Sequence, residues 1–121
     1  MRIERELMRG AGPVAVLSLL SRKPMYGYEL VQALAARTDG VLAMGQSTLY
    51  PMLYNLQAKG LIKANWQESE QGRKRKYYRL TGKGKKQLAA DSKQWNKLAD
   101  AMQTIGVLNT ARAVHLTGGS A

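Results

Sequence analysis

Glycine and proline residues limit the number and length of the secondary-structure elements that this chain can form. Breaks at residues 10–13, at Pro24, at Gly40 and at Gly60 keep every helix before residue 61 short, whereas residues 85–105 contain no glycine or proline. Because such residues interrupt helices, the predicted order is three short helices, a hairpin and a long last helix. The expected fold is therefore mainly α with a small β-hairpin.

Helical segments are predicted on both sides of Pro24. A short amphipathic helix over residues 2–10 is expected to be interrupted by residues 10–13, where Pro13 suits the first position of a new helix that continues to Leu20. The next helix is expected to start at Met25 and to end by Gly40.

A third helix is expected to begin near residues 46–48, with Ser47 as its N-cap and Pro51 close to its start. Gly60 should end it. Its predicted buried stripe consists of apolar side chains at helical spacing: Leu49, Met52, Leu53 and Leu56.

Residues 61–67 and 76–80 read as the two strands of a hairpin. Alternation predicts Ile62, Ala64 and Trp66 on one face of the first strand, and Tyr78 and Leu80 on one face of the second. One face of the hairpin should therefore be buried and the other exposed to water.

The last helix is expected to begin after Thr81 and to pass residue 100, with Gly106 loosening or ending it. Its apolar residues recur every seven positions in two offset series, which predicts a seam that packs on another helix, and an identical chain is the simplest partner. We expect residues 87–115 to form a dimerisation helix and residues 116–121 a disordered tail. The predicted interface, which includes two side chains of the first segment, is Ile3, Leu7, Leu88, Trp95, Leu98, Met102 and Ile105.

The element order is that of a winged helix-turn-helix, which we assign to residues 1–86. In such folds the third helix enters the major groove of DNA. Its short or planar hydrogen-bonding side chains suit base edges, although an ordinary solvated helix face would carry similar residues. The candidate DNA contacts of this helix are Gln46, Ser47, Thr48, Tyr50 and Asn55.

Charge favours the same interpretation. The chain has 19 Lys and Arg against 8 Asp and Glu, a formal net charge of +11, and such a chain seeks polyanions. A basic run at the hairpin tip would lie along a phosphate backbone, whereas a solvated surface is the ordinary alternative. The predicted phosphate contacts are Arg73, Lys74, Arg75 and Lys76.

Other chemistries find little support. The chain has no cysteine and a single histidine, His115, so we expect no enzyme activity, no metal site and no cofactor. No apolar run is long enough to span a membrane, and a cytoplasmic, nucleoid-associated protein is expected. The remaining alternative is a basic protein associated with RNA or the ribosome, although the sequence shows neither exposed aromatics on a sheet nor a GXXG clamp.

Four motifs resemble the PadR family of bacterial transcriptional regulators over roughly residues 5–90. They occupy residues 25–30 (MYGYEL), 47–53 (STLYPML), 56–62 (LQAKGLI) and 75–84 (RKYYRLTGKG). The resemblance implies a homodimeric repressor at a palindromic operator, with Thr48 and Tyr50 touching DNA and the basic wing holding the backbone. The chain departs from the family pattern at Gly12 and Pro13.

The resemblance also implies a ligand. In one subgroup of the family a tryptophan at a similar place stacks flat aromatic compounds between subunits. Trp95, aided by Met8 or Met102, is therefore a candidate contact for a small planar aromatic effector. A role for Trp95 as a simple anchor of the dimer core is the alternative.

Overall fold

The computed structural model describes residues 1–109, which form four helices and three strands. The elements in chain order are α1 (Arg5–Leu20), β1 (Met25–Tyr26), α2 (Gly27–Ala36), α3 (Gln46–Ala58), β2 (Ile62–Glu68), β3 (Lys74–Leu80) and α4 (Gly82–Thr104). His115, the end of the predicted dimerisation helix and the predicted tail lie outside the described residues.

The chain contacts divide it into an N-terminal unit, residues 1–89, and a C-terminal unit, residues 90–121. In the N-terminal unit the three helices and the sheet enclose one apolar core, to which each helix contributes a buried stripe. The side chains with almost no exposure are Val16, Leu17, Leu30, Leu34, Leu49, Leu53 and Ile62. Of the described part of the C-terminal unit, all but a short turn is the remainder of α4.

The predicted break at residues 10–13 is wrong, because α1 is one helix through Gly12 and Pro13. Its buried stripe runs from Met8 through Gly12 to Leu20 without a change of phase. A Cβ at Gly12 would come within 2.6 Å of the Met52 Cε atom, so the missing side chain lets α1 approach α3 closely. The free energy gained by packing the whole stripe is larger than the free energy lost with the one backbone hydrogen bond that proline removes.

The second helix begins later than predicted. Met25 and Tyr26 form β1, which pairs with Tyr78 and Tyr77 of β3 in an antiparallel sheet of order β1-β3-β2. The Glu29 carboxylate accepts a hydrogen bond from the Tyr26 N–H at 3.2 Å and so fixes the turn into α2.

Helix α3 begins within the predicted range, but its N-cap is not the predicted residue. Gly45, not Ser47, is the N-cap, and it has no side-chain cap. The helix therefore begins a full turn before Pro51. Its end agrees with the prediction, since Gly60 adopts a φ of 74° and the Leu61 N–H donates to the Leu56 carbonyl at 3.0 Å.

The hairpin has the predicted buried face except at Trp66. Ile62 lies opposite Leu80, and Ala64 lies opposite Tyr78, with Ile62 and Tyr78 buried. Trp66, predicted on the same buried face, is 68% exposed. It lies toward the hairpin tip, past the last core residue of β2, where the described structure offers nothing to cover it.

The last helix agrees with the predicted start and end. Thr81 accepts a hydrogen bond from the Gly84 N–H at 3.0 Å and donates to the Gly60 carbonyl at 2.7 Å, so one hydroxyl caps α4 and ties it to the end of α3. At the other end Gly106 has a φ of 88°.

Candidate nucleic-acid interface

Helix α3 buries one face and presents the other to solvent. Leu49, Leu53 and Leu56 are buried in the core. The five side chains predicted from the sequence to touch DNA are all exposed: Gln46, Ser47, Thr48, Tyr50 and Asn55. The structure thus leaves each of them accessible to a partner.

These residues do not all point the same way. At 100° per residue, Thr48 and Asn55 share the edge of α3 that faces α1, whereas Tyr50 lies on the opposite edge, toward α2. Ser47 lies between the two edges. The polar surface of α3 therefore extends across both sides of its exposed face.

Tyr54, which was not among the predicted DNA contacts, is 74% exposed. It lies on the same line of the helix surface as Ser47 and Pro51, at the centre of the exposed face. The spacing of four and then three residues from Ser47 was the available signal.

The Tyr50 side chain packs against Gly27, the first residue of α2. A Cβ built at Gly27 would overlap the Tyr50 hydroxyl, so the phenol lies directly against the Gly27 backbone. The glycine in the MYGYEL motif thus makes room for an aromatic side chain of α3.

The wing begins at a well-formed turn. The Ser69 N–H donates to the Arg73 carbonyl at 2.8 Å, and the Arg73 N–H donates to the Ser69 hydroxyl at 3.1 Å. Gly72 completes the turn with a φ of 77°. The turn places Arg73 and Lys74 at its exit.

The four predicted wing cations are not equivalent. Arg73 and Lys74 are exposed and form no ion pair within residues 1–109. The Arg75 guanidinium instead lies 4.4 Å from the ring centroid of Tyr26, which meets the Tyr77 ring edge-on at 5.5 Å. Arg75 therefore packs β1 against β3, which the local charge pattern did not reveal.

The Lys76 side chain also lies near an aromatic ring. Its Nζ atom lies 5.7 Å from the ring centroid of the buried Tyr78. Burial raises the pKa of the Tyr78 phenol, and the nearby Tyr50 raises it further, so this ring is neutral at physiological pH.

A second cationic pair lies at the base of the wing. Lys63 of β2 and Arg79 of β3 are direct cross-strand partners, and both are exposed. Like charges in this position repel each other, and a phosphate near both would remove the repulsion. Further exposed lysines follow at the start of α4: Lys83, Lys85 and Lys86.

In the C-terminal unit, α4 carries apolar side chains that the described part of this unit leaves uncovered. Trp95 is 41% exposed and Leu98 is 47% exposed, while Met102 is half-buried and Ile105 is exposed. Trp95, Leu98 and Met102 fall on one stripe at the spacing of a helix-packing seam.

Three other residues predicted at the interface or the effector site lie in or against the core of the N-terminal unit. Met8 is only 7% exposed and lies in the core itself, while Ile3 and Leu88 are partly buried against it. Leu7, in contrast, is exposed. The predicted contact of Met8 with an effector stays a prediction.

The described residues do not meet the requirements of two other kinds of site, a metal centre and a membrane span. Within residues 1–109 no group of histidine, cysteine and acidic residues could hold a metal ion. No helix in this part of the chain is long and apolar enough to cross a membrane.

Comparison with known proteins identifies the family, and with it the fold and the general function. The model of the transcriptional regulator PadR-like family matches residues 16–90. The chain belongs to the PadR family. It is a DNA-binding transcriptional regulator with a winged helix fold, and not an enzyme.

The chain is similar to individual proteins over most of their length. A PadR family transcriptional regulator from Eggerthella lenta is 36% identical, with a TM-score of 0.73 over 86% of this chain and 88% of that one. A PadR-like transcriptional regulator from Bacillus cereus is 29% identical, with a TM-score of 0.75 over 83% and 95%. An uncharacterised protein from Lysinibacillus sphaericus is 33% identical over 81% of this chain and 90% of its own length.

Proposed function

We propose that this PadR regulator acts in the bacterial cytoplasm as a homodimeric repressor that binds a palindromic operator. The observation that carries the proposal is the α3 surface, where a polar face stands exposed over a fully buried leucine stripe. Bound across a promoter, such a protein blocks transcription by occupying the DNA.

The apolar stripe of α4 supports the dimer. A helix that exposes Trp95 and Leu98 on one stripe gains stability by covering it. A second copy presents the same stripe, and a two-fold axis buries it twice. The two copies of α3 would then lie about 34 Å apart, one turn of DNA. Ile3 and Leu7 remain candidates for contacts with the partner's last helix.

The residues of the N-terminal unit divide the work on DNA. Side chains of α3, with Thr48 and Asn55 on one edge and Tyr50 on the other, read base edges in the major groove. Arg73 and Lys74 hold phosphates, which positions the protein without reading sequence. Lys63 and Arg79 extend this contact to the base of the wing.

Selection of bound sequences from a random duplex pool tests the proposal. The expected result is two inverted half-sites whose centres lie about ten base pairs, or a multiple of this, apart. A duplex from the selected pool should bind more tightly than structured RNA of equal length at the same salt concentration. A single asymmetric site, or equal affinity for RNA, would contradict the proposed mode of binding.

Trp95 supports a second element of the proposal, release of DNA by a flat aromatic effector. In a dimer the two Trp95 side chains would approach each other across the axis, and Met102 offers a flexible thioether nearby on the same helix. Met8, which is 7% exposed in one chain, stays a predicted contact for the same effector.

The chain has only two tryptophans, Trp66 and Trp95, so Trp66→Phe makes the fluorescence specific to Trp95. Quenching of this variant by planar aromatic compounds, together with weaker operator binding, is the expected result. If no compound of a broad panel quenches it, Trp95 serves only as a dimer anchor.

A further inference from the structure

An open groove of about 550 Å³ runs between α1 and α3 in the N-terminal unit. Its floor is apolar and includes three methionines, Met8, Met44 and Met52, with Ile3 and Pro13 beside them. The volume lies within the range of small-molecule sites, and flexible thioethers adapt to a flexible apolar guest.

The rim of this groove is cationic. Arg5 and Arg9 lie one turn apart on α1, and Arg2 precedes the helix. Arg9 has an exposed ion pair with Glu6 at 3.7 Å, whereas Arg2 and Arg5 form none within residues 1–109. No acidic side chain lines the groove. A guest with an anionic end and an apolar body would match both parts.

The opposite wall belongs to α3. Thr48 and Asn55, the two proposed base contacts on the edge facing α1, line the groove. A molecule held there touches the same side chains that would reach toward DNA.

We propose that the groove between α1 and α3 binds an aliphatic carboxylate, with its alkyl chain on the methionine floor and its carboxylate at the arginines, and that binding lowers affinity for DNA. The site is separate from the Trp95 seam and takes ligands of a different class. The inference that a ligand binds depends only on the structure of the groove, whereas the inferred effect on DNA affinity rests on the proposed function.

A phosphate contact is the competing use of these arginines. An arginine that only holds a DNA phosphate needs no apolar cavity beside it. The observed combination of an apolar floor and a cationic rim therefore favours the carboxylate.

The test adds decanoate, below its micelle concentration, to the whole 121-residue chain in solution. Calorimetry is combined with NMR of methyl-labelled methionine, and decanol and decylamine serve as probes of the charge requirement. We expect decanoate to bind more tightly than either, and the methyl signals of Met8, Met44 and Met52 to move. Binding that moves only the Met102 signal, or equal binding of all three compounds, would overturn the site.

Two matched variants locate the anionic end. The double variant R5Q/R9Q should weaken decanoate binding about ten-fold or more, because it removes two charge-assisted contacts. The variant R22Q/R37Q changes the net charge equally at exposed residues that do not line this groove and should leave binding unchanged. If decanoate does not bind and R5Q/R9Q weakens binding to every DNA sequence, the arginines are phosphate contacts and the proposal is wrong.

Coupling is measured separately. Operator DNA should weaken decanoate binding by the same factor by which decanoate weakens DNA binding. If decanoate binding depends on the arginines but does not change the affinity for DNA, the proposed coupling is wrong and the proposed binding site stands. Failure of the protein to bind any operator would instead refute the proposed function.

Discussion

The phenol of Tyr50 on α3 lies against the backbone of Gly27, in the space that a side chain at residue 27 would fill. Because Gly27 is the first residue of α2, the start of one helix sets the direction of an exposed aromatic on another. The relationship links the position of a proposed DNA contact to a residue that need not touch DNA.

We expect Gly27→Ala to weaken operator binding about ten-fold by displacing Tyr50, the scale of one lost base contact. Tyr50→Ala should have a similar effect, and the double variant should be no worse than Tyr50→Ala alone, since both act through one side chain. Gly10→Ala is the control, because nothing lies within 4 Å of a Cβ there. Additive losses in the double variant, measured by fluorescence anisotropy, would show that Gly27 acts independently of Tyr50.

Removing the free charges of the wing should change the salt dependence of DNA binding. Each replaced cation that contacts a phosphate lowers the slope of log K against log salt by about one. The variant R73Q/K74Q should therefore flatten the slope and weaken binding to all sequences, whereas R22Q/R37Q, with an equal loss of charge, should not. An unchanged slope in R73Q/K74Q would mean that the wing tip does not reach the DNA.

Arg75 should behave differently from its neighbours. Because its guanidinium packs on the Tyr26 ring, Arg75→Gln should lower the free energy of unfolding by about 0.5–1 kcal/mol. The effect on the salt slope should be smaller than that of R73Q/K74Q. Urea denaturation and salt titration of the same variant separate the two effects, and a normal stability with a reduced slope would assign Arg75 to phosphate.

The proposed dimer should depend on the apolar stripe of α4. Leu98→Asp places a charge in the seam, and we expect the dimer dissociation constant to rise at least about a hundred-fold. Asn96→Asp adds the same acid on another face of the helix and should leave the dimer intact. Sedimentation velocity distinguishes the two, and an unchanged dimer in Leu98→Asp would place the interface elsewhere.

Gly84 should tolerate no side chain. A Cβ there would overlap the Leu61 carbonyl oxygen and press on Leu80, so Gly84→Ala should lower the free energy of unfolding by about 1–3 kcal/mol. Gly82→Ala is the matched control, since a Cβ at Gly82 meets nothing within 4 Å. Both are compared by urea denaturation at one protein concentration; equal stability of the two variants would contradict the predicted overlap.

Alkaline pH should destabilise the fold through Tyr78. Its pKa is raised from 10.0 by burial and by Tyr50, so the unfolded chain loses the phenol proton before the folded one does. The free energy of unfolding should therefore fall as pH rises above about 10. Tyr78→Phe should show a shallower fall in urea denaturation over the same pH range, and an identical fall would assign it to other groups.

Some of the site was predictable from the sequence because it depends on local pattern. The leucine spacing of α3 fixed which of its side chains face solvent, and the basic run fixed the charge of the wing. What Arg75 does was not predictable, because its partner Tyr26 is distant in the sequence and only strand pairing brings the two together. The burial of Met8 was not predictable for the same reason: the side of α1 that is buried depends on where α3 packs.

The order of α2, α3, the hairpin and α4, the start and end of α4 and the cationic hairpin follow from the sequence alone, since helical periodicity, strand alternation and chain breaks act over a few neighbouring residues. Tertiary structure alone decided that α1 runs through Pro13, that Met25 and Tyr26 form a strand, and that Trp66 is exposed. Each of these depends on contacts between residues far apart in the chain. The free energy of such contacts can outweigh local preferences of about one hydrogen bond or less.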